Sequence, residues 1–596
     1  MILILGGTTE GRLAVRVADA AGSPYWYSTR GDLQQIDCKH GTHITGALDE
    51  AAMTAFCREN GIRLLVDAAH PFATELHRTV ASVAESLDLP VIRVERTYAA
   101  DEKGIRWCDD YTDAVLKMEA DGIARLLALT GVQTISKLRD YWENHSCWFR
   151  ILHRDESLEK AAQQGFPVDH LVYYEEEDEA ALIARLQPQA LLTKESGESG
   201  GFLQKLEAAR AAGIPLYAVR RPPLPAGFQI VTGEHGLRKA IERLVPGFFP
   251  LRSGFTTGAC ATAAAKAALL ALLGREVGEM VDIQFPDGEV LSLPVIDVKS
   301  ACAREELPLS ATATVIKDAG DDPDVTNGRA VVATVAFSDE PGIHFLQGEG
   351  IGRVTLPGLG IPVGGPAINR VPRQMMIQEL SALYDGGLDV TISVPGGREL
   401  AQRTFNPKLG IVDGISIIGT SGIVRPFSNE AFVDAIRKEV EVAVAVGTPM
   451  LVINSGAKSE ACLKARFPDL PPQAFVHYGN FIGETLKIAV DLHIRKVVMG
   501  IMIGKAVKLA EGHLDTHSKS VVMNKAFLKE VAAAAGCSPA AAAVIDRLTL
   551  ARELWAALTP ADACRFFPAL RARCQQVCAT VYPPAAGELT LFLIEE

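Results

Sequence analysis

Through roughly the first 245 residues, short apolar runs alternate with segments whose apolar side chains have helical spacing. Ile2–Leu5 is the first apolar run, and residues 12–21 form the first helical segment. Short apolar runs are typical of buried parallel strands, which need a crossover connection, usually a helix, between them. The alternation therefore predicts an α/β fold in this half, with a pair of Rossmann-like doubly wound units at about residues 1–100 and 101–246.

The turn after the first run is Gly6-Gly7-Thr8-Thr9-Glu10-Gly11. It stands where a doubly wound sheet binds the phosphates of a dinucleotide, so residues 6–10 are predicted to bind a cofactor. Thr8 replaces the second glycine of the Gly-x-Gly-x-x-Gly pattern, and an ordinary strand–helix turn stays open as the alternative.

The second apolar run ends in Ser28-Thr29-Arg30. An NAD enzyme usually places an acid near this point to hold the ribose hydroxyls. Two hydroxyls followed by an arginine suit a 2′-phosphate instead, so these residues predict NADPH as the cofactor. The nearby Asp32 weakens this inference, and a solvated Arg30 is the alternative.

Two later loops carry candidate catalytic residues. His70 follows a buried run, and it is predicted to donate a proton or hold a substrate carboxylate, with a structural histidine as the alternative. Lys194 and Ser196 lie in a loop rich in glycine and serine. Lys194 is predicted to be catalytic and Ser196 to bind substrate, since such a loop offers a cation and N–H groups to an anion. A solvated loop lysine is the alternative for Lys194.

A second folded half begins after a short proline-stiffened linker at residues 246–250. Its first feature is a loop containing Thr256, Thr257 and Gly258, followed by an alanine-rich helix at 259–273. Open N–H groups at a helix start bind anions, so these three residues are predicted to bind substrate. A capped, buried helix is the alternative. The predicted domains are 1–246 and 250–596, the second divided into an α+β part at about 250–405 and an α/β part at 406–596.

Several motifs resemble two known families. Residues 1–245 resemble the precorrin-6A reductase family through Gly6-Gly-Thr-Thr-Glu-Gly, Ala69-His-Pro-Phe-Ala, Thr193-Lys-Glu-Ser-Gly and Arg220-Arg-Pro. The second half resembles the cobalt-precorrin-5B C1-methyltransferase family through Gly254-Phe-Thr-Thr-Gly-Ala-Cys, Lys317-Asp-Ala-Gly-Asp-Asp, Phe405-Asn-Pro-Lys-Leu-Gly and Gly419-Thr-Ser-Gly-Ile-Val. The resemblance implies a bifunctional enzyme of cobalamin biosynthesis that methylates cobalt-precorrin-5B with S-adenosylmethionine and then reduces cobalt-precorrin-6A with NADPH.

A methyl donor commonly binds over the carboxyl ends of parallel strands, against loops of small residues. The predicted donor residues are Gly419, Thr420, Ser421, Gly422, Asn454, Ser455, Gly456 and Asn480. The acidic segment 318–324 supplies Asp318 and Asp321 as predicted substrate contacts. No metal site is predicted, because the implied substrate carries its own cobalt. A catalytically silent scaffold is the alternative for the donor region.

The composition excludes several classes of function. A formal net charge of −13 disfavours nucleic-acid binding, and no apolar run approaches the length needed to cross a bilayer. Eleven cysteines without a secretion signal are typical of reduced thiols, so a cytoplasmic protein is expected, with assembly of identical subunits left open. Two alternative functions remain: an NADP oxidoreductase fused to a small-molecule kinase-like domain, and a non-catalytic tetrapyrrole carrier.

Overall fold

The structure is a computed structural model that describes residues 1–31, 36–96, 98, 104–301, 309–517 and 523–595. The chain divides into two compact units, Met1–Leu251 and Arg252–Glu596. Asp32, which bears on the choice of cofactor, lies outside the described residues.

The first unit contains two parallel sheets and the helices that cover them. Its strands are β1 Ile2–Leu5, β2 Tyr25–Thr29, β3 Gly41–Thr45, β4 Leu64–Asp67, β5 Val91–Glu95, β6 Ile105–Cys108, β7 Arg125–Ala128, β8 Ser146–Ile151, β9 Leu171–Tyr173, β10 Ala190–Lys194, β11 Leu216–Val219 and β12 Phe228–Thr232. Its helices are α1 Thr9–Asp19, α2 Glu50–Glu59, α3 Thr74–Leu87, α4 Tyr111–Ala120, α5 Arg139–Trp142, α6 Asp155–Gln163, α7 Glu179–Leu186, α8 Phe202–Ala212 and α9 Gly233–Leu244.

The strand orders are β12-β5-β4-β1-β2-β3 and β6-β11-β10-β7-β8-β9, and every pairing is parallel. This confirms the predicted α/β fold with parallel sheets. The direction of winding reverses between β1 and β4 in the first sheet and between β7 and β10 in the second. Ligands of such sheets bind at the carboxyl ends of the strands beside these reversals. The loops after β1, β4 and β10 are the ones that the sequence singled out.

The predicted division of this unit at residue 100 needs a correction. β12 pairs with β5, and α9 packs on the core of the first sheet through Leu237, Ala240 and Ile241. The chain therefore returns to the first sheet after completing the second. β12 covers the backbone edge of β5, which would otherwise be left unpaired.

The second unit has a larger number of short strands. Its strands are β13 Gly254–Phe255, β14 Met280–Gln284, β15 Val290–Pro294, β16 Asp297–Ala301, β17 Ser310–Ile316, β18 Ala330–Ser338, β19 Ile343–Gln347, β20 Arg353–Val354, β21 Gly387–Ser393, β22 Ile411–Val412, β23 Ile423–Val424, β24 Leu451–Asn454, β25 Phe475–His477, β26 Lys496–Met502 and β27 Glu588–Ile594. Its helices are α10 Thr257–Leu272, α11 Arg370–Ser381, α12 Gly397–Ala401, α13 Asn429–Ala445, α14 Ala457–Arg466, α15 Ile482–Asp491, α16 Ile503–Glu511, α17 Lys525–Ala534, α18 Pro539–Arg547, α19 Leu554–Ala557 and α20 Pro560–Ala579.

Two sheets organise this unit. The first, β16-β17-β18-β21-β19, is antiparallel except for its last pair, and α10 and α11 share its core. Seven of the thirteen buried residues of α10 are alanines, which allows the helix to lie close to the strands. The second sheet, β25-β24-β26-β27, is entirely parallel.

The predicted boundary at 405/406 lies too early in the chain. β22 pairs with β20, and β23 pairs with β13, so the chain as far as Val424 belongs with the α+β part. Between β22 and β23, Ile415 and Ile417 form isolated bridges with Ile351 and Ile368. These apolar residues are buried by packing rather than by a continuous ladder. In the part of the chain that the structure describes, no helix is long and apolar enough to span a bilayer.

Candidate active sites

The turn after β1 is shaped by the ring of Tyr27. A Cβ atom on Gly6 would lie 2.3 Å from this ring, so only glycine fits at this position. The Gly7 N–H donates to the Tyr27 hydroxyl over 3.0 Å, and Gly7 has a φ of +98°. A Cβ on Gly7 would meet no atom within 4 Å. The turn therefore has one face packed on the sheet and one open face.

Thr8 explains why the second glycine of the dinucleotide pattern is missing here. Its side chain accepts a hydrogen bond from the Gly11 N–H over 3.2 Å and caps α1. The same hydroxyl donates to the Ala68 carbonyl over 2.7 Å, which ties the turn after β1 to the loop after β4. Thr9 is the first residue of α1. The threonine fixes the direction in which the helix start points.

The end of β2 presents one of its three predicted residues to solvent. Ser28 and Thr29 are buried, whereas Arg30 is exposed. The Thr29 hydroxyl donates to the Gly31 carbonyl over 2.7 Å and lies 2.8 Å from Nε2 of His43. Arg30 is therefore the residue of this group best placed to meet an anionic ligand.

His70 lies in the loop after β4, partly buried. Its Nδ1 accepts a hydrogen bond from the Phe72 N–H over 3.2 Å, so a neutral ring carries its proton on Nε2. Burial, together with the positive charges of Arg96 and Lys194, lowers the pKa of His70 to about 4. At neutral pH this imidazole is uncharged and can offer an N–H to a ligand.

Lys194 ends β10 and is partly buried, with its Nζ 5.5 Å from the centre of the Phe72 ring. Within the described ranges its ammonium group has no hydrogen bond or ion pair with a carboxylate. Burial, reinforced by the charges of Lys205 and Lys137, lowers the pKa of Lys194 to about 8. An amine of this kind is charged at neutral pH and gives up its proton readily.

A buried ion pair at this site escaped sequence reasoning. An Arg96 nitrogen lies 2.9 Å from Oε2 of Glu10, and the Ser199 hydroxyl donates to Oε1 of Glu10 over 2.7 Å. Burial acts to raise the pKa of Glu10, but the Ser199 hydrogen bond and the Arg96 charge outweigh burial and hold this pKa below its ordinary value. Arg96 also donates to the carbonyl of Ser196 over 2.7 Å. The available signal was the charged Arg96 directly after β5, a strand that already contains the charged residues Arg93 and Glu95.

A second buried charge cluster supports the loop after β4. Asp67 is fully buried, with Nδ1 of His77 at 2.6 Å and an Arg93 nitrogen at 2.9 Å. Burial acts to raise the pKa of Asp67, but the His77 hydrogen bond and the Arg93 charge hold this pKa below its ordinary value. The cluster is a structural support beneath the β1/β4 reversal.

In the second unit, the start of α10 and the loop at 419–422 pack on each other. The Gly258 N–H donates to the Ile418 carbonyl over 3.0 Å, and the Ile418 N–H donates to the Thr257 hydroxyl over 3.0 Å. A Cβ on Gly419 would lie 2.4 Å from the Thr256 hydroxyl. The Gly258 N–H, which was predicted to be open to an anion, therefore already donates its hydrogen bond to the Ile418 carbonyl. Thr256 also caps α10, because its hydroxyl accepts a hydrogen bond from the Ala259 N–H over 3.1 Å.

The acidic segment lies beside the same helix start. Asp318 and Asp321 are paired with Arg252 at 3.4 and 3.7 Å, and the Asp318 carbonyl accepts from the Phe255 N–H over 2.7 Å. Lys317 is fully buried and forms an ion pair with Asp324 at 2.5 Å. These acids therefore organise the loops around α10 through pairs with basic residues.

The other predicted donor residues lie at the carboxyl edge of the parallel sheet. Asn454 is fully buried. Its side-chain NH2 group donates a hydrogen bond to the Val476 carbonyl over 3.1 Å, and its side-chain oxygen accepts one from the Gly456 N–H over 3.2 Å. The Ser455 hydroxyl lies 3.0 Å from that of Ser459, and the Asn480 carbonyl accepts from the Thr516 N–H over 3.1 Å. The eight predicted donor residues thus fall on two different loop clusters.

Lys505, which was not among the predicted donor residues, lies at this edge. Its Nζ donates to the carbonyl of Gly479 and approaches the carbonyl of Ser455 at 3.5 Å. Burial, with a contribution from the charge of Lys508, lowers the pKa of Lys505 to about 8. The helices α14, α15 and α16, which follow β24, β25 and β26, all begin without a side-chain cap. A cation and uncapped helix starts together favour an anionic group at this edge.

Comparison with known proteins assigns both units. Residues 1–242 match the family model of precorrin-6x reductase CbiJ/CobK. Residues 247–426 match CbiD, and 515–595 match the CbiD C-terminal domain. The cobalt-precorrin-5B C1-methyltransferase of Prosthecochloris aestuarii is 44% identical over 355 residues, covering 58% of this chain and 95% of the relative. The chain belongs to the cobalt-precorrin-5B C1-methyltransferase family. The Geobacillus kaustophilus member of this family is 43% identical, covering 57% of this chain and 91% of the relative.

Two solved structures are also similar. The CobK precorrin-6A reductase is 23% identical, with a TM-score of 0.35, covering 41% of this chain and 97% of that chain. The cobalamin biosynthesis protein CbiD from Archaeoglobus fulgidus is 27% identical, with a TM-score of 0.25, covering 45% of this chain and 84% of that chain.

The family matches confirm both resemblances read from the motifs. The chain is a bifunctional enzyme of cobalamin biosynthesis, with a reductase in its first half and a methyltransferase in its second. The kinase-like and carrier alternatives are not favoured.

Proposed function

We propose that the second half transfers a methyl group from S-adenosylmethionine to C1 of cobalt-precorrin-5B, and that the first half reduces the product, cobalt-precorrin-6A, with NADPH to cobalt-precorrin-6B. The observation that carries this proposal is the presence of both family matches in one chain. The product of the methyltransferase is the substrate of the reductase, so the two steps are consecutive.

The turn after β1 fits a dinucleotide. Its open face at Gly7, the start of α1 and the exposed Arg30 at the end of β2 are the features that such a cofactor needs for its pyrophosphate and 2′-phosphate. The α1 start stabilises the pyrophosphate charge, and Arg30 selects NADPH over NADH by pairing with the extra phosphate.

Lys194 is the proposed proton donor of the reduction. When bound, NADPH supplies a hydride to one carbon of the ring double bond. Lys194 gives its ammonium proton to the neighbouring carbon, which leaves a C–H bond at each carbon, oxidised cofactor and a neutral lysine that solvent reprotonates. With its pKa near 8, Lys194 has a proton to give at neutral pH, whereas His70 with its pKa near 4 does not. His70 orients the substrate through its Nε2–H.

The carboxyl edge of β24, β25 and β26 is the proposed methyl-donor site. Lys505 and the uncapped starts of α14 and α15 meet the carboxylate of the methionine moiety. Gly456, with a φ of +147°, allows a ligand to approach the backbone. When bound, S-adenosylmethionine would supply the methyl group that C1 of the ring gains. Lys505 and the backbone around Gly456 would hold the donor at this edge, since methyl transfer depends on positioning of the donor against the ring.

The experiment that tests this function is a product analysis. The purified chain is incubated with cobalt-precorrin-5B, S-adenosylmethionine and NADPH, and products are identified by mass spectrometry. Without NADPH, the product should be heavier than the substrate by one methyl group. With NADPH, the mass of the product should increase by a further two mass units. A product that gains two mass units without the methyl group would contradict the order of the steps, and no mass change would contradict the function.

We expect the enzyme to work in the cytoplasm, where both cofactors are abundant. Its net charge of −13 and its small-molecule chemistry require neither nucleic acid nor a membrane.

A further inference from the structure

Arg96 joins the two sheets of the first unit at the proposed reductase site. It follows β5 of the first sheet, and its side chain is only 6% exposed. One terminal nitrogen donates to the Ser196 carbonyl over 2.7 Å, in the loop that follows β10 of the second sheet. The other lies 2.9 Å from Oε2 of Glu10, in the first turn of α1. One guanidinium group therefore contacts both the cofactor turn and the loop of the proton donor.

Ser199 completes this junction from the second sheet. Its hydroxyl donates to Oε1 of Glu10 over 2.7 Å, while Oε2 of the same carboxylate forms the ion pair with Arg96. The loop also packs closely on the guanidinium, because a Cβ on Gly200 would lie 3.2 Å from an Arg96 nitrogen and 2.4 Å from the Ser196 hydroxyl. The inter-sheet junction consists of Arg96, Glu10 and Ser199.

We propose that Arg96 is a positioning residue for the reduction, and this inference rests on the proposed function. The junction sets the distance between the start of α1, which holds the cofactor, and Lys194, which supplies the proton. The planar guanidinium has donors in a fixed geometry, so it can hold two partners at once, which a lysine ammonium does less well. A displacement of about 1 Å between reacting groups can lower a rate by about 100-fold. Arg96 itself contacts no reacting atom.

The test uses the full chain and four substitutions. Arg96→Lys keeps the positive charge but loses the planar set of donors, and Arg96→Gln removes the charge. Ser199→Ala removes the hydrogen bond to Glu10 but leaves the ion pair between Glu10 and Arg96 in place. Arg16→Gln is the matched control, because Arg16 lies on the same helix α1 as Glu10 and forms an exposed pair with Glu234 at 2.8 Å. For each variant, NADPH affinity is measured by fluorescence, and the rate of NADPH oxidation is measured in a single turnover with cobalt-precorrin-6A.

We expect Arg96→Lys and Arg96→Gln to lower the single-turnover rate by about 10- to 100-fold while the Kd for NADPH changes by less than about 3-fold. Ser199→Ala should lower the rate by about 3- to 10-fold with unchanged thermal stability. Arg16→Gln should match the parent chain. A purely structural junction would lower the unfolding temperature and leave the rate of the folded fraction unchanged, which would overturn the inference.

The outcomes separate this inference from the function on which it rests. If the parent chain does not oxidise NADPH with cobalt-precorrin-6A, the proposed function fails. If the parent chain does so and Ser199→Ala and Arg96→Lys react at the parent rate, the function stands and the positioning role is wrong. Should the Arg96 variants fail to fold, Ser199→Ala alone decides the question.

Discussion

At the scale of single residues, buried lysines are the most informative feature of this chain. Burial is the main reason that the pKa values of Lys194, Lys205 and Lys505 fall to about 8. Lys205 has a structural explanation, because its ammonium donates to the Gly200 carbonyl over 2.9 Å. Lys194 lies beside a proposed ligand, and its burial costs stability because the charged form is partly desolvated.

Lys194→Met should slow reduction strongly and stabilise the first unit. The pKa of Lys194 is lower in the folded than in the unfolded state, so the unfolded chain binds more protons between about pH 8 and the ordinary lysine value. The cost of the buried charge is therefore fully present below pH 8 and is relieved as pH rises. At pH 7 the variant should unfold a few degrees higher in calorimetry, while its reduction rate falls by at least about 100-fold. In the parent chain the rate should decline above about pH 8.

A Lys194→Arg variant is the control, since it keeps a charge that cannot be given up as a proton near neutral pH. If it reduces substrate at the parent rate, Lys194 is not the proton donor.

Arg30→Ala tests the choice of cofactor. Arg30 is the exposed member of the group at the end of β2, and a charge-assisted pair with a 2′-phosphate contributes about 1.5–3 kcal/mol. The KM for NADPH should therefore rise by about 10- to 100-fold, with the KM for NADH little changed. Steady-state kinetics with both cofactors measure this, and an equal loss for both would contradict the assignment.

At the scale of elements, close backbone packing explains glycines that a ligand could also have required. Gly419 packs on Thr256 at the start of α10, so a larger side chain there would disturb the α+β part before it met any donor. Gly6 is likewise required by Tyr27, but Gly7 in the same turn faces open space. The loops at the ends of β1 and β24 are therefore better candidates for ligand contact than the loop at 419–422.

Lys505→Met should weaken S-adenosylmethionine binding without affecting reduction. The ammonium lies at the carboxyl edge of β24 and β26, held between two backbone carbonyls. Loss of a partly buried cation that faces the donor's carboxylate should lower the affinity by about 10- to 100-fold in calorimetry. Lys487→Met is the matched control, because Lys487 lies on the adjacent α15 and forms an exposed pair with Glu484 at 2.8 Å. Unchanged binding in Lys505→Met would place the donor elsewhere.

At the scale of the whole molecule, each unit contains its own hydrophobic core. The two parallel sheets of Met1–Leu251 bury their apolar residues within that unit, as do the two main sheets of Arg252–Glu596. Both units are well above the size at which a domain folds alone. The protein is therefore expected to behave as two enzymes joined by a short segment.

Fragments 1–251 and 252–596, expressed separately, should each fold and keep one step. The first should reduce cobalt-precorrin-6A, and the second should methylate cobalt-precorrin-5B, each within about 3-fold of the rate of the full chain. Cooperative unfolding by circular dichroism and the two product assays check this. Insoluble or inactive fragments would show that the division is incorrect. A mixture of the fragments at low concentration should show a lag in the reduced product, because covalent linkage raises the effective concentration of one half near the other.

Local patterns determined the parallel sheets of the first unit, and the motifs indicated the two enzyme families. Apolar runs separated by helical segments specify parallel sheets. A short apolar run is enough to show that a strand is buried, and the helical segment after it is the crossover that a parallel neighbour requires. The glycine turn after β1 and the loops after β4 and β10 could be located for the same reason, since strand ends are where such sheets bind ligands.

Tertiary structure alone decided which of these loops meet. Arg96 reaches Ser196 across 100 residues and Ser199 reaches Glu10 across 189, and no periodicity records such pairings. The return of β12 to β5 and the packing of Gly419 on Thr256 are equally non-local. These long-range contacts form where a strand edge, a cavity or a buried charge is still uncovered after the helices and strands have formed. Which groups are left uncovered depends on the packing of the whole unit.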